Sequence, residues 1–258
     1  MTQENHKDER IAKERIAKVM ARAGLCSRRE AEKWIEAGRV RVNGKVIESA
    51  AMNVSGADKV VVDGKDLPPQ DHTRLYIYHK PPGLVTSHKD ERGRTTVFDK
   101  LASQLPRVIS VGRLDLNTEG LLLLTNDGEL SRYLELPSTG WKRKYRVRVH
   151  GWVGQKKLDR LKNGITVEGI TYKSIDAKLD EQEKEGTNSW LNVTLREGKN
   201  REIRRVMEAL DLKVTRLIRT DYGPFSLGKL ERGGVREIED KVMRTQVAKF
   251  FKEKTLKR

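Results

Sequence analysis

The sequence has little of several residue types, and each shortage excludes a class of protein. Its 258 residues include one cysteine, Cys26, which excludes an intramolecular disulfide framework and a cysteine-cluster zinc site. Apolar residues make up 36% of the chain, mean hydropathy is −0.70, and no apolar stretch approaches membrane-spanning length. No apolar signal segment follows the charged start. We therefore expect a protein without membrane association that works in the cytoplasm.

Positive charge is what the chain has in excess. Lysine and arginine together number 53 against 37 acidic residues, which gives a formal net charge of +16 and a pI near 9.9. Cations that neutralise phosphates release counterions, so this surplus favours binding to a polyanion. A charged surface that served solubility alone would not need such an imbalance. The composition therefore favours nucleic acid as the partner.

The most informative stretch is 111–128, which reads VGRLDLNTEGLLLLTNDG. Its four consecutive leucines, bounded by turn residues, predict a strand that is buried on both faces. Asp127 is expected to be structural, because Asn, Asp and Gly suit the tight turn after such a strand. Asp115 lies between two leucines and two residues after Arg113, where a cation would keep a partly desolvated carboxylate ionised. On spacing alone, a turn or cap is the commoner role for such an aspartate, and catalysis is the alternative.

The first sixty residues predict a module of two helices and a hairpin. Residues 10–23 have apolar side chains at helical spacing with basic residues between them. Ser27 and Glu30 predict a capping box for the second helix, and Asn43-Gly44 predicts the hairpin turn. A helix-turn-helix that reads DNA is one interpretation of this order.

A polar stretch at 66–72 contains two prolines and predicts a linker. We therefore expect domains at 10–68 and 73–246, followed by a basic tail at 247–258 that is ordered only on RNA, if at all. Within the second domain, period-two alternation at 142–150 predicts a strand with Tyr145 on its buried face.

Residues 112–128 resemble the catalytic loop of the pseudouridine synthases, in the branch that modifies ribosomal RNA, and the resemblance implies that Asp115 is the catalytic nucleophile. Residues 142–149 resemble the tyrosine motif of that family, which implies that Tyr145 stacks on the target base. The stretch GKNREIRR at 198–205 resembles the third motif, in which an arginine pairs with the catalytic aspartate; that role maps to Arg204. Further substrate-binding residues implied by the motifs are Arg113, Lys199, Arg201 and Leu217, with Leu217 as a wall of the base pocket and Arg201 toward solvent.

The stretch SRREAEKWIEAGRVRVNG at 27–44 resembles the S4 domain, a small RNA-binding module, which competes with the DNA-reading interpretation. The resemblance implies that its basic positions face RNA. They are Arg28, Arg29, Lys33, Arg39 and Arg41. Each one taken singly is also compatible with a solvated surface charge, and the set as a whole favours an RNA-binding face. Lys80, in the turn His79-Lys80-Pro81-Pro82-Gly83, matches the first motif of the synthases and is expected to be structural.

Together these resemblances imply an α+β protein: an S4 domain, then a catalytic domain with a mixed, mainly antiparallel central sheet. The implied reaction isomerises uridine to pseudouridine in ribosomal RNA and needs neither metal nor cofactor. Residues 200–205 favour the large-subunit synthase B group, although Glu135-Leu136-Pro137-Ser138 departs from the Met-His-Pro-Ser usual in the family. The expected partner is large-subunit RNA or its assembly intermediate, bound by a monomer. The alternatives are the same reaction on 16S RNA, a non-catalytic ribosome-assembly factor, and DNA-binding regulation.

Overall fold

The computed structural model describes residues 13–255, apart from the side chains of 184 and 185, and they divide into two units. One unit comprises the described residues up to 73 together with 247–255, and the other comprises 74–246. The division at 73/74 lies directly after the predicted linker. Residues 10–12 and 256–258, which the sequence assigned to the first helix and the tail, lie outside the described residues. No helix among 13–255 is long and apolar enough to cross a membrane.

The smaller unit begins with two helices and continues with short strands, as the sequence predicted. Its elements are β1 (Glu14–Arg15), α1 (Ile16–Arg22), α2 (Arg28–Glu36), β2 (Val40–Val42), β3 (Lys45–Val46), β4 (Asn53–Val54), β5 (Val60–Val62) and β6 (Lys65–Asp66). The predicted capping box of α2 is confirmed: the Glu30 amide donates to Ser27 Oγ at 3.1 Å, and the Ser27 amide donates to Glu30 Oε2 at 2.8 Å. The predicted hairpin is also confirmed, because β2 and β3 pair on either side of Asn43-Gly44.

Two predictions for this unit need correction. The first helix begins at Ile16, because Glu14 and Arg15 form a strand that pairs with β4. Within the predicted tail, residues Ala248–Thr255 form a helix, although the sequence predicted order only on RNA. Phe250 in that helix is buried, and burial of an apolar side chain orders a segment without help from a ligand.

The larger unit alternates strands and helices. Its elements are β7 (Leu75–Lys80), α3 (Val97–Leu101), β8 (Ile109–Ser110), β9 (Glu119–Thr125), α4 (Gly128–Glu135), β10 (Arg143–His150), α5 (Gln155–Asp159), β11 (Ile165–Val167), β12 (Ile170–Tyr172), β13 (Asp176–Glu185), β14 (Asn188–Leu195), α6 (Glu202–Glu208), β15 (Lys213–Tyr222), β16 (Phe225–Ser226), β17 (Val235–Glu237) and α7 (Asp240–Gln246), and the C-terminal helix of the smaller unit is α8.

Nine of these strands form one sheet within the described residues. Its main order is β13-β14-β10-β15-β9-β7-β17, with β16 beside β15 and β8 beside β9. The pair β9–β15 is parallel and the other neighbouring pairs are antiparallel, which confirms the predicted mixed, mainly antiparallel sheet. Every residue of β9 is buried, as the leucine run predicted. The loop before β9 is therefore attached directly to the core.

Gly120 sets how closely β9 approaches β15. Its φ is +103°, and a Cβ at this position would lie 2.2 Å from the backbone oxygen of Arg219. Any larger residue would push the two parallel strands apart at the start of β9. The glycine thus brings the loop that contains Asp115 next to the middle of β15.

Candidate active site and RNA-binding surface

The larger unit contains a cavity of about 450 Å³, a size typical of small-molecule sites. Its wall includes parts of the loop before β9, of β10 and β15, and of the turn between β14 and α6. Most of the residues that the sequence singled out in this domain line it. They are Arg113, Asp115, Tyr145, Lys199, Arg201 and Leu217. Of the catalytic and substrate-binding residues that the resemblance implies in this domain, Arg204 is the one that does not line it.

The buried ammonium of Lys80 binds the backbone of the loop that contains Asp115. This side chain is 0% exposed, and its Nζ lies 3.0–3.2 Å from the backbone oxygens of Pro81, Asp115, Leu116 and Thr118. Burial lowers the pKa of Lys80 to about 8, and the carboxylates of Asp115 and Glu119 oppose that shift. The structural role expected for Lys80 is confirmed, and its burial shows how it acts.

Other donors complete the support of this loop. Thr86 Oγ1 donates to the Leu114 carbonyl at 2.9 Å, and the Gly83 amide donates to the Leu116 carbonyl at 2.8 Å. Arg204 Nη2 donates to the Asn117 carbonyl at 3.2 Å. When the Lys80 contacts are included, each of the five consecutive carbonyls from Leu114 to Thr118 accepts a hydrogen bond. A loop held at each peptide presents its side chains in one orientation.

Glu119, at the end of this loop, is held by two arginines. Its carboxylate accepts from Arg216 at 2.8 and 3.1 Å and lies 2.8 Å from Arg232 Nη2. Burial alone would raise the pKa of Glu119, but the hydrogen bonds from Arg216 and the charges of both arginines lower it overall. Glu119 is thus an ionised anchor for the start of β9.

Asp115 is partly exposed at the cavity wall, with 31% of its side chain accessible. Its nearest cation is Arg201, with Nη1 3.9 Å from Asp115 Oδ2. Arg201 has φ +50° and precedes α6, which begins at Glu202. Arg201 is the N-cap residue of α6, and its positive φ turns the chain before the helix starts. Arg201 lines the cavity and remains 53% exposed, so it also faces solvent as expected.

Arg204 does not form the predicted ion pair with Asp115. Its guanidinium donates to the backbone oxygens of Val214 at 3.3 Å and Asn117 at 3.2 Å. Burial and the charge of Arg201 lower the pKa of Arg204, and the charge of Asp115 opposes them. Arg204 thus supports the loop that contains Asp115 and contributes a nearby positive charge. Arg201 is the residue that forms the ion pair with Asp115.

Tyr145 and Leu217 lie on the strands that the sequence predicted, on the cavity side of the sheet. Tyr145 is half-buried on β10 and is paired across the sheet with Arg219 of β15. Leu217 is buried on β15, two residues before Arg219. Since residues i and i+2 of a strand share a face, Tyr145, Leu217 and Arg219 surround the same space.

Glu202 is a cavity residue that the sequence did not reveal. It is buried, and the Lys199 amide donates to its Oε2 at 3.0 Å. Burial raises the pKa of Glu202 to about 7; the neighbouring Glu197 raises it further, and Lys199 opposes the shift. This carboxyl is therefore protonated at mildly acidic pH, when an ordinary glutamate is ionised.

The raised pKa predicts a pH-dependent effect on stability. Folding favours the protonated form of Glu202, so its stabilising contribution is full below the ordinary pKa of 4.5 and is lost as pH rises through about 7. Glu202→Gln cannot ionise and should therefore raise the melting temperature more at pH 8.5 than at pH 5.5. Glu208→Gln, on the exposed face of α6, is the control and should show no such difference. Equal shifts for Glu202→Gln at both pH values would contradict the assignment.

In the smaller unit, the predicted RNA-facing cations differ in their surroundings. Arg28, Arg29, Lys33 and Arg41 are exposed, as an RNA-binding face requires. Arg39 is also exposed, but its Nε donates to Asp63 at 2.9 Å and its guanidinium lies 4.5 Å from the centroid of the Trp34 ring. Because Arg39 already has a carboxylate partner, it is less available to phosphate than the other four.

Comparison with known proteins identifies both units. Residues 14–61 match the S4 domain, and residues 74–209 match the RNA pseudouridylate synthase family. An RNA pseudouridine synthase of Rickettsia felis is 49% identical over 230 residues, which cover 89% of this chain and 99% of the relative. Ribosomal large subunit pseudouridine synthase B of Salmonella typhi is 44% identical over 235 residues, which cover 88% of this chain and 79% of the relative. A solved pseudouridylate synthase superimposes with a TM-score of 0.61 at 28% identity, covering 90% of this chain and 99% of that one.

The fold, the cavity and these similarities define a two-unit RNA-modifying enzyme. The chain belongs to the RNA pseudouridylate synthase family and carries an S4 domain before its catalytic unit. It is an RNA pseudouridine synthase, an enzyme that isomerises uridine in RNA.

Proposed function

We propose that the enzyme isomerises a specific uridine of large-subunit ribosomal RNA, with Asp115 as the catalytic nucleophile. The observation that carries the proposal is the environment of Asp115: a partly exposed carboxylate in a cavity, on a loop whose carbonyls from Leu114 to Thr118 are all held. A nucleophile must be both accessible and fixed, and Asp115 meets both conditions. A cation lies beside it, with Arg201 Nη1 3.9 Å from Asp115 Oδ2.

The other cavity residues receive roles from their positions. The target base leaves its helix or loop and enters the cavity, because a stacked base is out of reach of Asp115. Tyr145 stacks on the base and Leu217 closes one side of the pocket. The exposed cations Arg113, Lys199 and Arg201 bind the flanking phosphates. Asp115 acts at the sugar or at the base, at C1′ or at C6, and both routes are compatible with this arrangement.

The preference for the large subunit rests on the relatives and on the S4 surface. The Salmonella typhi relative, 44% identical, is named as a large-subunit synthase. The exposed cations of the smaller unit, Arg28, Arg29, Lys33 and Arg41, supply phosphate contacts outside the catalytic cavity. We propose that the enzyme acts as a monomer, in the cytoplasm where ribosomes assemble, on large-subunit RNA or its assembly intermediate.

The test maps pseudouridine in RNA of both subunits. Unmodified 23S and 16S transcripts, and large-subunit particles from cells that lack the enzyme, are incubated with the protein, treated with a carbodiimide that marks pseudouridine, and read by primer extension. We expect one new stop, in 23S RNA or in the particle, that is absent with Asp115→Asn. A stop in 16S RNA alone would contradict the subunit assignment. RNA binding without a stop in any substrate would contradict catalysis and favour an assembly factor.

A further inference from the structure

Arg219 is a buried cation of the cavity wall that lacks acceptors for most of its donors. It is 3% exposed, and its Nε donates to the Leu121 carbonyl at 2.7 Å. Among residues 13–255, neither terminal nitrogen donates a hydrogen bond and no carboxylate forms an ion pair with the guanidinium. A buried charge without a partner is costly, so it is normally kept where a ligand supplies the missing acceptors.

The surroundings of Arg219 prevent it from turning away from the cavity. Its backbone lies against Gly120, its Nε is bound to Leu121, and its guanidinium carbon lies 5.1 Å from the centroid of the Tyr222 ring. The group is therefore pre-positioned, and it pays no reorganisation cost when a ligand arrives.

Other cations of the cavity already have acceptors. Arg143 donates to the Arg196 carbonyl at 2.8 Å and to Tyr222 Oη at 3.0 Å, and Arg196 donates to the Gly140 carbonyl at 2.6 Å. Arg201 is 53% exposed and lies beside Asp115. Exposed cations suit phosphates, which remain attached to two sugars and lie at the mouth of a pocket. Arg219 is buried and has unused donors, so it suits a part of the substrate that enters the cavity more deeply than the phosphates do.

We propose that Arg219 binds a carbonyl oxygen of the flipped uracil and stabilises the negative charge that the base acquires during the reaction. The inference rests on the proposed function and adds a substrate-binding residue to it. Tyr145 is the direct cross-strand neighbour of Arg219, and side chains at such positions lie about 5 Å apart. A base stacked on Tyr145 therefore has its edge within reach of the guanidinium.

The chemistry explains why a cation is useful at this place. When the bond from N1 to C1′ breaks, its electron pair stays on the base and is spread over N1, O2 and O4, while C1′ bonds to the Asp115 carboxylate or carries the positive charge. When C5 then bonds to C1′, any bond from C1′ to Asp115 breaks, C5 releases its proton and N1 takes one up, so the product is an isomer of the substrate. Donors that are fixed against O2 or O4 bind the anionic base more strongly than the neutral one, which lowers the barrier.

The experiment combines a substitution of Arg219 with replacement of a single oxygen atom of the target uracil. A short synthetic RNA carries uridine, 2-thiouridine or 4-thiouridine at the mapped target, and single-turnover rates are measured for the wild type and Arg219→Met. With uridine, we expect the variant to be about 100-fold slower, the usual cost of losing one such donor. With one of the two thio substrates, the ratio of the wild-type rate to the Arg219→Met rate should fall to about tenfold. Sulfur accepts hydrogen bonds poorly, so replacing the acceptor and removing the donor abolish the same hydrogen bond. Any effect of sulfur on the base itself cancels in the ratio.

The outcomes separate this inference from the proposed function. A wild type that is inactive on every RNA and on the large-subunit particle would refute the function itself. An active wild type whose rate ratio to the variant is the same for all three substrates would refute the role of Arg219 alone. If Arg219→Met does not fold, as judged by circular dichroism, Arg219→Lys takes its place. It keeps the charge but not the planar fork, so it should be slower than the wild type and show the smaller ratio with the same thio substrate. A ratio for Arg219→Lys that does not change between substrates would contradict the proposal.

Discussion

Asp115→Asn should lower the single-turnover rate at least about 1,000-fold, because removal of a nucleophile leaves only the contributions of binding and positioning. The amide has the same shape as the carboxylate but can neither attack carbon nor accept a proton. RNA affinity should stay within about twofold, since it is spread over many phosphate contacts. Rates are measured by nucleoside analysis of the digested RNA, and affinity is measured by fluorescence anisotropy at one fixed salt concentration.

Asp211→Asn is the matched control for this substitution. Asp211 is exposed, lies outside the cavity and has φ +54°, a conformation that asparagine also adopts readily. Its rate and affinity should equal those of the wild type. The nucleophile assignment would be contradicted if Asp115→Asn kept a rate within tenfold of the wild type. A loss of affinity as large as the loss of rate would instead indicate that Asp115 binds RNA.

Lys80→Met should have the second-largest effect, and it should act on both stability and turnover. Methionine has a similar length but no donors, so backbone oxygens of Pro81, Asp115, Leu116 and Thr118 lose their shared partner. The Leu116 and Asp115 carbonyls keep bonds from the amides of Gly83 and Thr118. Loss of the Lys80 donor at the other two oxygens should still lower the free energy of unfolding by about 3 kcal/mol, even after the gain from not burying an ammonium. Turnover should fall about 100-fold at temperatures where the variant is folded, because the loop is no longer fixed.

Urea denaturation and single-turnover kinetics measure these two effects. Lys162→Met is the control, since Lys162 is exposed and its ammonium lies 2.9 Å from Asp159. Loss of a surface ion pair changes stability by less than about 1 kcal/mol. If Lys80→Met were as stable and as active as Lys162→Met, the loop would not depend on Lys80.

The features that could be predicted from the sequence are those set by local patterns. Four leucines between turn residues specify β9, and alternation specifies the face of β10 that carries Tyr145. The cap of α2 at Ser27 follows from side chains three residues apart. The position of Asp115 beside the core follows from its attachment to β9. Each of these needs only neighbours in the chain, so the sequence contains the whole signal.

The features that could not be predicted depend on long-range packing or on one backbone angle. The positive φ of Arg201 delays the start of α6, so that Arg201 and not Arg204 lies beside Asp115. Glu202 appears as an ordinary charged residue until the fold buries it, and the motif around Lys80 does not show that its ammonium is buried. Arg219 could have been noticed from its place two residues after Leu217, but its missing acceptors are visible only when its surroundings are known.

The most direct test of the central claim is release of hydrogen from C5 of uridine. Large-subunit RNA, transcribed with tritium at C5 or assembled as the corresponding particle, is incubated with the wild type until tritium in water reaches a plateau. We expect release of one tritium per RNA molecule, and none with Asp115→Asn. Absence of release by the wild type from both substrates, despite salt-sensitive binding to them, would contradict the proposed isomerisation.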